Sequence, residues 1–271
     1  MNKKSSFWLA PVFALFSPGI YREAVKSSAG RGVLYALYMA LIGVAVVMAA
    51  IAGKMTPQAD VFVGWLANNL PVTIWTPAGL SLENGKTTEV LTHPRYGAIA
   101  VFDMTKTAVT EADMGKAFIL VTATKVFIKR SPGQIQARDI TGAGLRPGQQ
   151  LPAKVRITGA FIEKFYQNIK GPLLWGIALM LLIPLFLAGL LMGLFYSLVG
   201  LLFNLMRTEK LGYGAIFNLT CFAMTTSIVI FWLKLLTPIE NIPWPWFMTG
   251  LINLGYMFFA FKVTDKKREA V

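Results

Sequence analysis

The sequence has very little of the chemistry that usually marks an active site. Its 271 residues include one cysteine, Cys221, and one histidine, His93. A single cysteine forms no disulfide within the chain, and in a long apolar run it is typically a small buried side chain. A zinc site built on histidine and cysteine is excluded. A cysteine–histidine catalytic pair is also excluded, because Cys221 lies in a predicted membrane segment and His93 lies outside it.

Charge is also scarce. Charged residues make up 14% of the chain, against about 25% in an average soluble protein, and 55% of the residues are hydrophobic. Uncharged runs cover residues 32–53, 173–206, 211–233 and 241–261. About 20 apolar residues span the hydrocarbon core of a bilayer, so each run is long enough to cross it. We predict a bundle of four transmembrane helices. A small, β-rich α+β extracytoplasmic domain is inserted between the first and second helices.

Acidic residues are half as numerous as basic ones, 13 against 26, which gives a formal charge of +13. Nucleic acid is excluded as a partner, because the basic residues form no single stripe and no nucleic-acid module is present. Lysine and arginine beside membrane spans instead set orientation and meet anionic lipid headgroups. They predict a protein of the bacterial inner membrane that has both termini in the cytoplasm and the lipid bilayer as its partner. These basic residues are Lys3, Lys4, Arg22, Lys26, Arg31, Lys262, Lys266, Lys267 and Arg268.

The predicted segment boundaries follow from these runs. Residues 1–31 form a cytoplasmic and interfacial segment, in which Pro11 interrupts an aromatic-rich helix at Phe7–Phe16. The first transmembrane helix, 32–54, is an uncleaved signal anchor, because its basic leader is too long for a signal peptide. The extracytoplasmic domain occupies 55–170. The other segments are a long kinked second transmembrane helix at 171–206, a third at 211–236, a fourth at 243–262 and a basic cytoplasmic tail at 263–271.

The second transmembrane helix carries the clearest packing pattern. Pro184 removes a backbone donor and predicts a kink. Gly189, Gly193 and Ser197 recur at intervals of four and place three small side chains on one helix face. We predict close helix packing there, either within this bundle or with a partner. A rival topology turns the run into a hairpin at residues 184–189, which would move the basic tail out of the cytoplasm.

The polar block combines amphipathic helices with short strands. Apolar residues at helical spacing predict helices at 56–70 and 155–169. A hairpin is predicted about Ala123 and Thr124, although no glycine or asparagine lies there. Runs rich in β-branched and aromatic residues predict strands at 72–76, 80–83, 89–91, 98–104, 117–122, 125–129 and 134–140.

Polar residues in chemically informative places are few. Asp103 ends a predicted strand, and Glu111 and Asp113 follow in a loop, so turn and capping roles are favoured over paired acid–base catalysis. Lys234 and Asn218 lie in apolar helices, where a polar group is a functional candidate, although a lysine near a helix end usually reaches to the headgroups. No phosphate-binding loop, nucleophile elbow or metal-ligand spacing is present. We predict no catalytic, cofactor or metal site.

Several motifs support a family resemblance. A Ser17-Pro18 and Tyr21-Arg22 entry precedes the first crossing, and AIAVFDMTKT and AFILVTATKVFIKRSPGQI lie in the polar block. Together they resemble a bacterial membrane-protein family of unknown function whose Gram-positive members are described as maltodextrin-utilisation proteins. The resemblance covers nearly the whole chain. It implies an integral membrane protein with four crossings and no established enzymatic role.

Three functions are compatible with this organisation. The first is a non-enzymatic inner-membrane protein that binds, senses or scaffolds. Its extracytoplasmic domain is coupled to the bundle, and a membrane or envelope protein is its partner. The second is an accessory subunit or minor transporter for sugar or solute uptake, which needs a polar cavity lined by Asn204, Asn218, Asn253 or Lys234. The third, ranked last, is a membrane enzyme whose three carboxylates converge in one pocket.

Overall fold

The computed structural model describes residues 7–28, 30–131, 133–141, 154–236 and 246–265. The chain divides into two units. The helical unit comprises Met1–Thr56 and Pro172–Val271, and the sheet unit comprises Pro57–Gly171. The basic tail predicted at 263–271 lies outside the described residues beyond Asp265.

Helices form most of the described chain. Phe7–Leu9 is a 3₁₀ turn, and Ile51–Met55 is a π-helical turn. The α-helices, in chain order, are α1 (Ala10–Phe16), α2 (Pro18–Lys26), α3 (Gly30–Ala50), α4 (Thr56–Asn69), α5 (Glu111–Met114), α6 (Gly159–Leu205), α7 (Tyr213–Ala223), α8 (Thr225–Leu236) and α9 (Trp246–Val263).

Three helical stretches of the described residues are long and apolar enough to cross a membrane. They are Gly30–Asn69, Gly159–Leu205 and Tyr213–Leu236, with 40, 47 and 24 residues. These lengths indicate a membrane protein. The apolar helix Phe247–Val263, where a fourth crossing was predicted, is shorter. Residues 243–245 of that prediction lie outside the described chain.

Helix α6 is longer than expected. It begins at Gly159, where the Thr158 hydroxyl accepts a hydrogen bond from the Phe161 backbone N–H at 3.2 Å and caps the first turn. It then continues through Pro172 and Pro184 as one helix, so the rival hairpin at 184–189 is absent. Proline inside a helix removes one backbone bond, which is tolerated in membrane helices where neighbouring groups compensate.

The membrane-spanning part of α6 exposes an apolar surface. Only 6% of its most apolar segment is buried inside the protein. The side chains of Met180, Leu191 and Leu202 are 79%, 65% and 64% exposed. In water such a surface would drive aggregation, whereas in a bilayer it contacts acyl chains of equal polarity. The exposure pattern therefore supports lipid as the solvent of the helical unit.

The core of the helical unit is built around α7, whose residues from Ile216 to Ala223 are all buried. Pro11 lies in the first turn of α1, where a helix needs no proline N–H, so it starts this helix and does not interrupt it as predicted. Helices α1 and α2 pack into the same core. Their almost fully buried residues are Ala10, Ala14, Ile20, Tyr21 and Ala24.

Two sheets form the framework of the sheet unit. Strands β1 (Thr73–Thr76), β2 (Gly79–Leu82) and β8 (Val155–Ile157) form one sheet in the order β2-β1-β8. The other follows the order β3-β4-β5-β6-β7, in which only β4 and β5 pair in parallel. Its strands are β3 (Thr88–His93), β4 (Gly97–Asp103), β5 (Ile119–Val121), β6 (Lys125–Ser131) and β7 (Gln134–Asp139).

The helix predicted at 155–169 is wrong at its start, where residues 155–157 form strand β8. Val155 and Ile157 alternate with Arg156 in a short strand that pairs antiparallel with β1, so the helix starts only at Gly159. Three residues are too few for their period to separate a strand from a helix, and the pairing with a distant strand decides the outcome.

Both faces of the larger sheet are covered. On one side Leu91, Phe102 and Val121 pack with Trp65 and Leu66 of α4. A second cluster, formed by Met114, Leu120 and Phe127, includes α5 from the connection between β4 and β5. Burial on two sides explains why β4 and β5 read as nearly continuous apolar runs.

The hairpin predicted at Ala123 and Thr124 is confirmed, because β5 and β6 pair antiparallel. Thr122 replaces the turn glycine in stabilising it. Its hydroxyl accepts from the Lys125 N–H and donates to the Lys125 carbonyl, both at 3.0 Å. Such hydrogen bonds from a threonine side chain to the nearby backbone stabilise a turn that contains no glycine.

Candidate binding crevice in the helical unit

The predicted small-residue face of α6 meets α7. A Cβ at Gly193 would lie 3.1 Å from both Cys221 Sγ and Phe217 Cε2, so these two side chains of α7 would have to shift by a few tenths of an ångström to admit it. The hydroxyl oxygens of Ser197 and Thr220 are 2.8 Å apart across the same contact. Gly189 is looser, since a Cβ there would find Ala36 at 3.9 Å. Small residues at this face let the two backbones approach closely.

Gly200 belongs to the same contact and was missed from the sequence. A Cβ at Gly200 would lie 2.7 Å from Cγ2 of Ile216, which is the tightest approach along the membrane-spanning part of α6. Gly200 lies three positions after Ser197 and therefore on the same helix face. The spacing of small residues in the sequence could have identified it.

Asn218, predicted as a candidate for a ligand or path, is bonded to the backbone at the end of α2, in the connection after it and at the start of α3. Its amide nitrogen donates to the carbonyls of Ala24, Ser27 and Ser28 at 3.1, 3.3 and 2.9 Å. Its Oδ1 accepts from the Gly32 N–H at 2.8 Å. The side chain is 0% exposed. These bonds satisfy groups that the helix ends leave free, and they fasten α7 to the entry of α3.

Asn204 and two basic residues perform a similar task after α6. Asn204 exchanges two hydrogen bonds with the backbone of Leu211, at 3.0 and 2.9 Å. Lys210 donates to the carbonyls of Leu205 and Arg207 near the end of α6. The Arg207 guanidinium donates to the Phe261 carbonyl at 2.7 Å, near the end of α9. Cations at helix C-termini satisfy free carbonyls and complement the helix dipole.

Lys234 is in the last turn of α8. It is not among the residues that line the crevice described next. Asn204, Asn218 and Lys234 therefore do not share a cavity with Asn253, although the sequence suggested a polar path lined by such residues.

A crevice of about 280 Å³ lies between helices of the helical unit. Residues of α3, α6, α7, α8 and α9 line it. The described residues that line it include no charged side chain. Tyr35 of α3 is fixed at one wall, because its hydroxyl lies 2.6 Å from Thr225 Oγ1 and its ring stacks on Phe222 at 4.0 Å. The lining residues include Gly43, Gly189, Trp232 and Asn253.

Asn253 is the exceptional residue of this crevice. It is 1% exposed, and within the described chain its Oδ1 has no hydrogen-bond partner. A buried polar atom without a partner costs roughly 1–3 kcal/mol, so native proteins leave few of them. Thr226 Oγ1 is also buried and without a partner among the described residues, but Thr226 does not line the crevice. A mostly apolar crevice between helices has the make-up of a small-molecule site.

The carboxylates of the sheet unit are engaged in local structure. Asp103 accepts from the N–H and hydroxyl of Thr105, at 3.1 and 2.6 Å, in a turn after β4. Glu111 and Asp113 lie in the short helix α5, where a loop was predicted. Asp113 completes a capping box with Thr110 and pairs with Lys106. Glu111 pairs with Lys129 at 2.6 Å.

Metal binding finds no support in the described ranges, where no three histidine, cysteine or acidic side chains come together. The single histidine is the last residue of β3 and precedes the turn that leads to β4. Its Nδ1 accepts from the backbone N–H of Arg95 at 3.0 Å and of Tyr96 at 3.3 Å, and its ring packs edge-on against Trp65 at 4.4 Å. His93 thus stabilises a turn.

The first prediction concerns the pH dependence of this part of the sheet unit. The hydrogen bond from Lys106, together with those from Thr110, lowers the pKa of Asp113 below its ordinary value. A carboxyl group whose pKa is lower in the folded than in the unfolded state stabilises the fold. This contribution is complete above the unfolded-state pKa of about 4. It is lost as the pH falls through the folded-state value. The replacement Asp113→Asn is therefore expected to reduce hydrogen-exchange protection of residues 106–118 at pH 7, and much less at pH 2.

Hydrogen-exchange mass spectrometry of the full chain measures this difference once intrinsic rates at each pH are divided out. Asp139→Asn, at an exposed position of β7, is the matched control and should change protection at neither pH. Equal effects of Asp113→Asn at both pH values would contradict the ionic contribution.

Three helices of membrane-spanning length among the described residues characterise the class as a helical membrane protein that also contains a β-sheet unit. The chain belongs to the family described as Protein of unknown function (DUF1189), whose model matches residues 11–261. An uncharacterised family is thereby confirmed, and its description names no maltodextrin role. No curated protein and no solved structure matches the chain.

Proposed function

We propose that this protein is a non-enzymatic inner-membrane protein that binds an apolar ligand drawn from the bilayer. Sensing or scaffolding would follow from that binding. The crevice of the helical unit supports the proposal. The described residues that line it are uncharged and mostly apolar. Helical bundles typically place their ligand sites between helices in this way.

The alternatives have less support. A solute path needs several polar groups facing one cavity, yet Asn204 and Asn218 bond to backbone groups of connecting segments. A sugar such as maltodextrin would need a set of convergent polar groups, which an apolar crevice does not offer. Paired carboxylate catalysis would need free acids, whereas Glu111 and Asp113 form ion pairs with lysines. We therefore favour binding over transport or catalysis.

A crevice-filling variant tests the proposed function. Gly189 lines the crevice and has space for a side chain, so Gly189→Leu should occupy the ligand volume without disturbing α7. Gly176→Leu is the matched control on the same helix, since a Cβ there meets nothing within 4 Å. Native mass spectrometry after extraction in mild detergent should find a bound small apolar molecule on the wild type and on Gly176→Leu. Gly189→Leu should have lost it. Identical spectra for all three proteins would contradict the proposal.

We also propose four crossings with α9 as the fourth, residues 55–170 outside the cytoplasm, and both termini inside. The distribution of lysine and arginine supports this orientation. Alkaline phosphatase inserted after Gly85, in the turn between β2 and β3, should be active, because this enzyme folds only outside the cytoplasm. The same enzyme fused after Val271 should be inactive. Activity of the second fusion would show that α9 does not cross or that the orientation is reversed.

A further inference from the structure

A second pocket of the helical unit, of about 360 Å³, lies at the C-terminal ends of α6 and α9. It shares no lining residue with the apolar crevice. Its apolar part includes Phe203 and Phe258, whose ring centroids are 6.2 Å apart. Its charged part includes Arg207 and Lys262, the first charged residues after the uncharged runs 173–206 and 241–261. The pocket therefore lies where the hydrocarbon of a bilayer gives way to the phosphate layer.

The charges of this pocket are predominantly positive. The described residues that line it include two cations and a single acid, Asp265. Neither Arg207 nor Lys262 forms an ion pair with a carboxylate in the part of the chain that the structure describes. Clusters of basic residues directly after a transmembrane helix attract anionic lipids. The sequence after Asp265 continues such a cluster with Lys266, Lys267 and Arg268.

Arg207 is held in place by the backbone around it. It is 7% exposed and donates to the carbonyls of Phe261, Thr264 and Glu209 and to the hydroxyl of Thr264. All four acceptors are neutral. Burial lowers the pKa of Arg207 below its ordinary value, although Asp265 and Glu209 act in the opposite direction. A buried cation without a contacting anion is unfavourable, and an anionic ligand reduces this cost.

We propose that this pocket binds the phosphate group of an anionic phospholipid from the surrounding bilayer. The exposed ammonium of Lys262 donates to the phosphate oxygens, and the fixed charge of Arg207 attracts them. The acyl chains extend past Phe203 and Phe258 into the hydrocarbon. A zwitterionic lipid brings an amine together with its phosphate, and the positive pocket disfavours that amine. This site is additional to the proposed site for an apolar ligand, and it depends only on the membrane character of the helical unit.

Native mass spectrometry of the full chain in mild detergent tests the proposal. The probes are phosphatidylglycerol, which is anionic, and phosphatidylethanolamine, which is zwitterionic, with identical acyl chains. The variant is Lys262→Gln. Its matched control is Lys26→Gln, which removes the same charge from an exposed position in the last turn of α2 and outside the pocket. Helix α2 also lies near the end of α9, because Arg22 Nε donates to the Val263 carbonyl at 3.1 Å.

The first phosphatidylglycerol should bind the wild type at least fivefold more tightly than phosphatidylethanolamine. Lys262→Gln should weaken the binding of phosphatidylglycerol by about fivefold, which corresponds to about 1 kcal/mol for one basic side chain near a membrane surface. It should leave the binding of phosphatidylethanolamine unchanged, and Lys26→Gln should change neither. Both variants should fold, because in the described structure neither lysine side chain forms a hydrogen bond or an ion pair.

Three results would overturn the proposal. Equal affinities of the wild type for the two lipids would show that the pocket does not select for negative charge. Equal affinities of Lys262→Gln and Lys26→Gln for phosphatidylglycerol would show that this lipid does not bind in the pocket. Displacement of the bound lipid by glycerol 3-phosphate would indicate a site for a soluble anion. The crevice test with Gly189→Leu involves neither this pocket nor these lipids, so the two proposals can fail separately.

Discussion

Replacing Gly193 by leucine is expected to destabilise the helical unit by about 3 kcal/mol, which is the upper part of the usual range for overpacking. A Cβ at position 193 would already lie only 3.1 Å from Cys221 Sγ and Phe217 Cε2 of α7, and the rest of a leucine side chain would crowd these two residues further. Because every residue from Ile216 to Ala223 is buried, any movement of α7 would displace other packed residues. The apparent unfolding temperature in detergent micelles should fall by several degrees.

Gly176→Leu is the matched control for this prediction. It lies on the same helix, and a Cβ there meets nothing within 4 Å. Leucine also has a higher helix propensity than glycine, so the control should be neutral or slightly stabilising. Equal unfolding temperatures for Gly193→Leu and Gly176→Leu would show that α6 and α7 are not in close contact.

The second large effect is expected from Asn218→Leu. This change keeps the branched shape of the side chain but removes four hydrogen bonds to the end of α2, the connection after it and the start of α3. The buried Gly32 N–H would lose its acceptor, and the carbonyls of Ala24 and Ser28 would lose a donor. Leaving such groups unsatisfied is expected to cost about 2–4 kcal/mol in total. Hydrogen exchange should accelerate first at residues 24–34.

Thr226→Val provides the contrasting control in neighbouring α8. Its hydroxyl is buried and has no hydrogen-bond partner in the part of the chain that the structure describes. Valine has the same shape, so this change should leave the unfolding temperature unchanged or raise it slightly. If Asn218→Leu is as mild as Thr226→Val, Asn218 does not fasten α7 to the start of α3.

The sequence predicted the membrane character and most of the strands, because long uncharged runs and β-branched segments have direct physical causes. It did not reveal β8, since Val155–Ile157 owes its strand conformation to pairing with β1, about 80 residues earlier. Pro11 was misread for a local reason. The same residue interrupts a helix from within and starts one from its first turn, and only the position of the helix start decides which.

The contacts around α7 and the crevice differ in how far the sequence could predict them. The four-residue spacing of Gly193 and Ser197 marks a helix face, and both residues lie at the contact with α7. The partners of Asn218 lie 186 to 194 residues away in sequence, so no local pattern could assign them. Asn253 is visible as a polar residue in an apolar run. Its lack of a partner, however, depends on how the surrounding helices pack.

The account depends most on lipid contact along α6. A nitroxide spin label attached at Leu191→Cys, a position that is 65% exposed, reports the solvent directly in reconstituted bilayers. Val90→Cys in β3, 54% exposed, is the reference. We expect the label at residue 191 to collide often with oxygen and rarely with a water-soluble nickel chelate, with the reverse at residue 90. Frequent collisions with the nickel chelate at residue 191 would place this face in water and contradict the account.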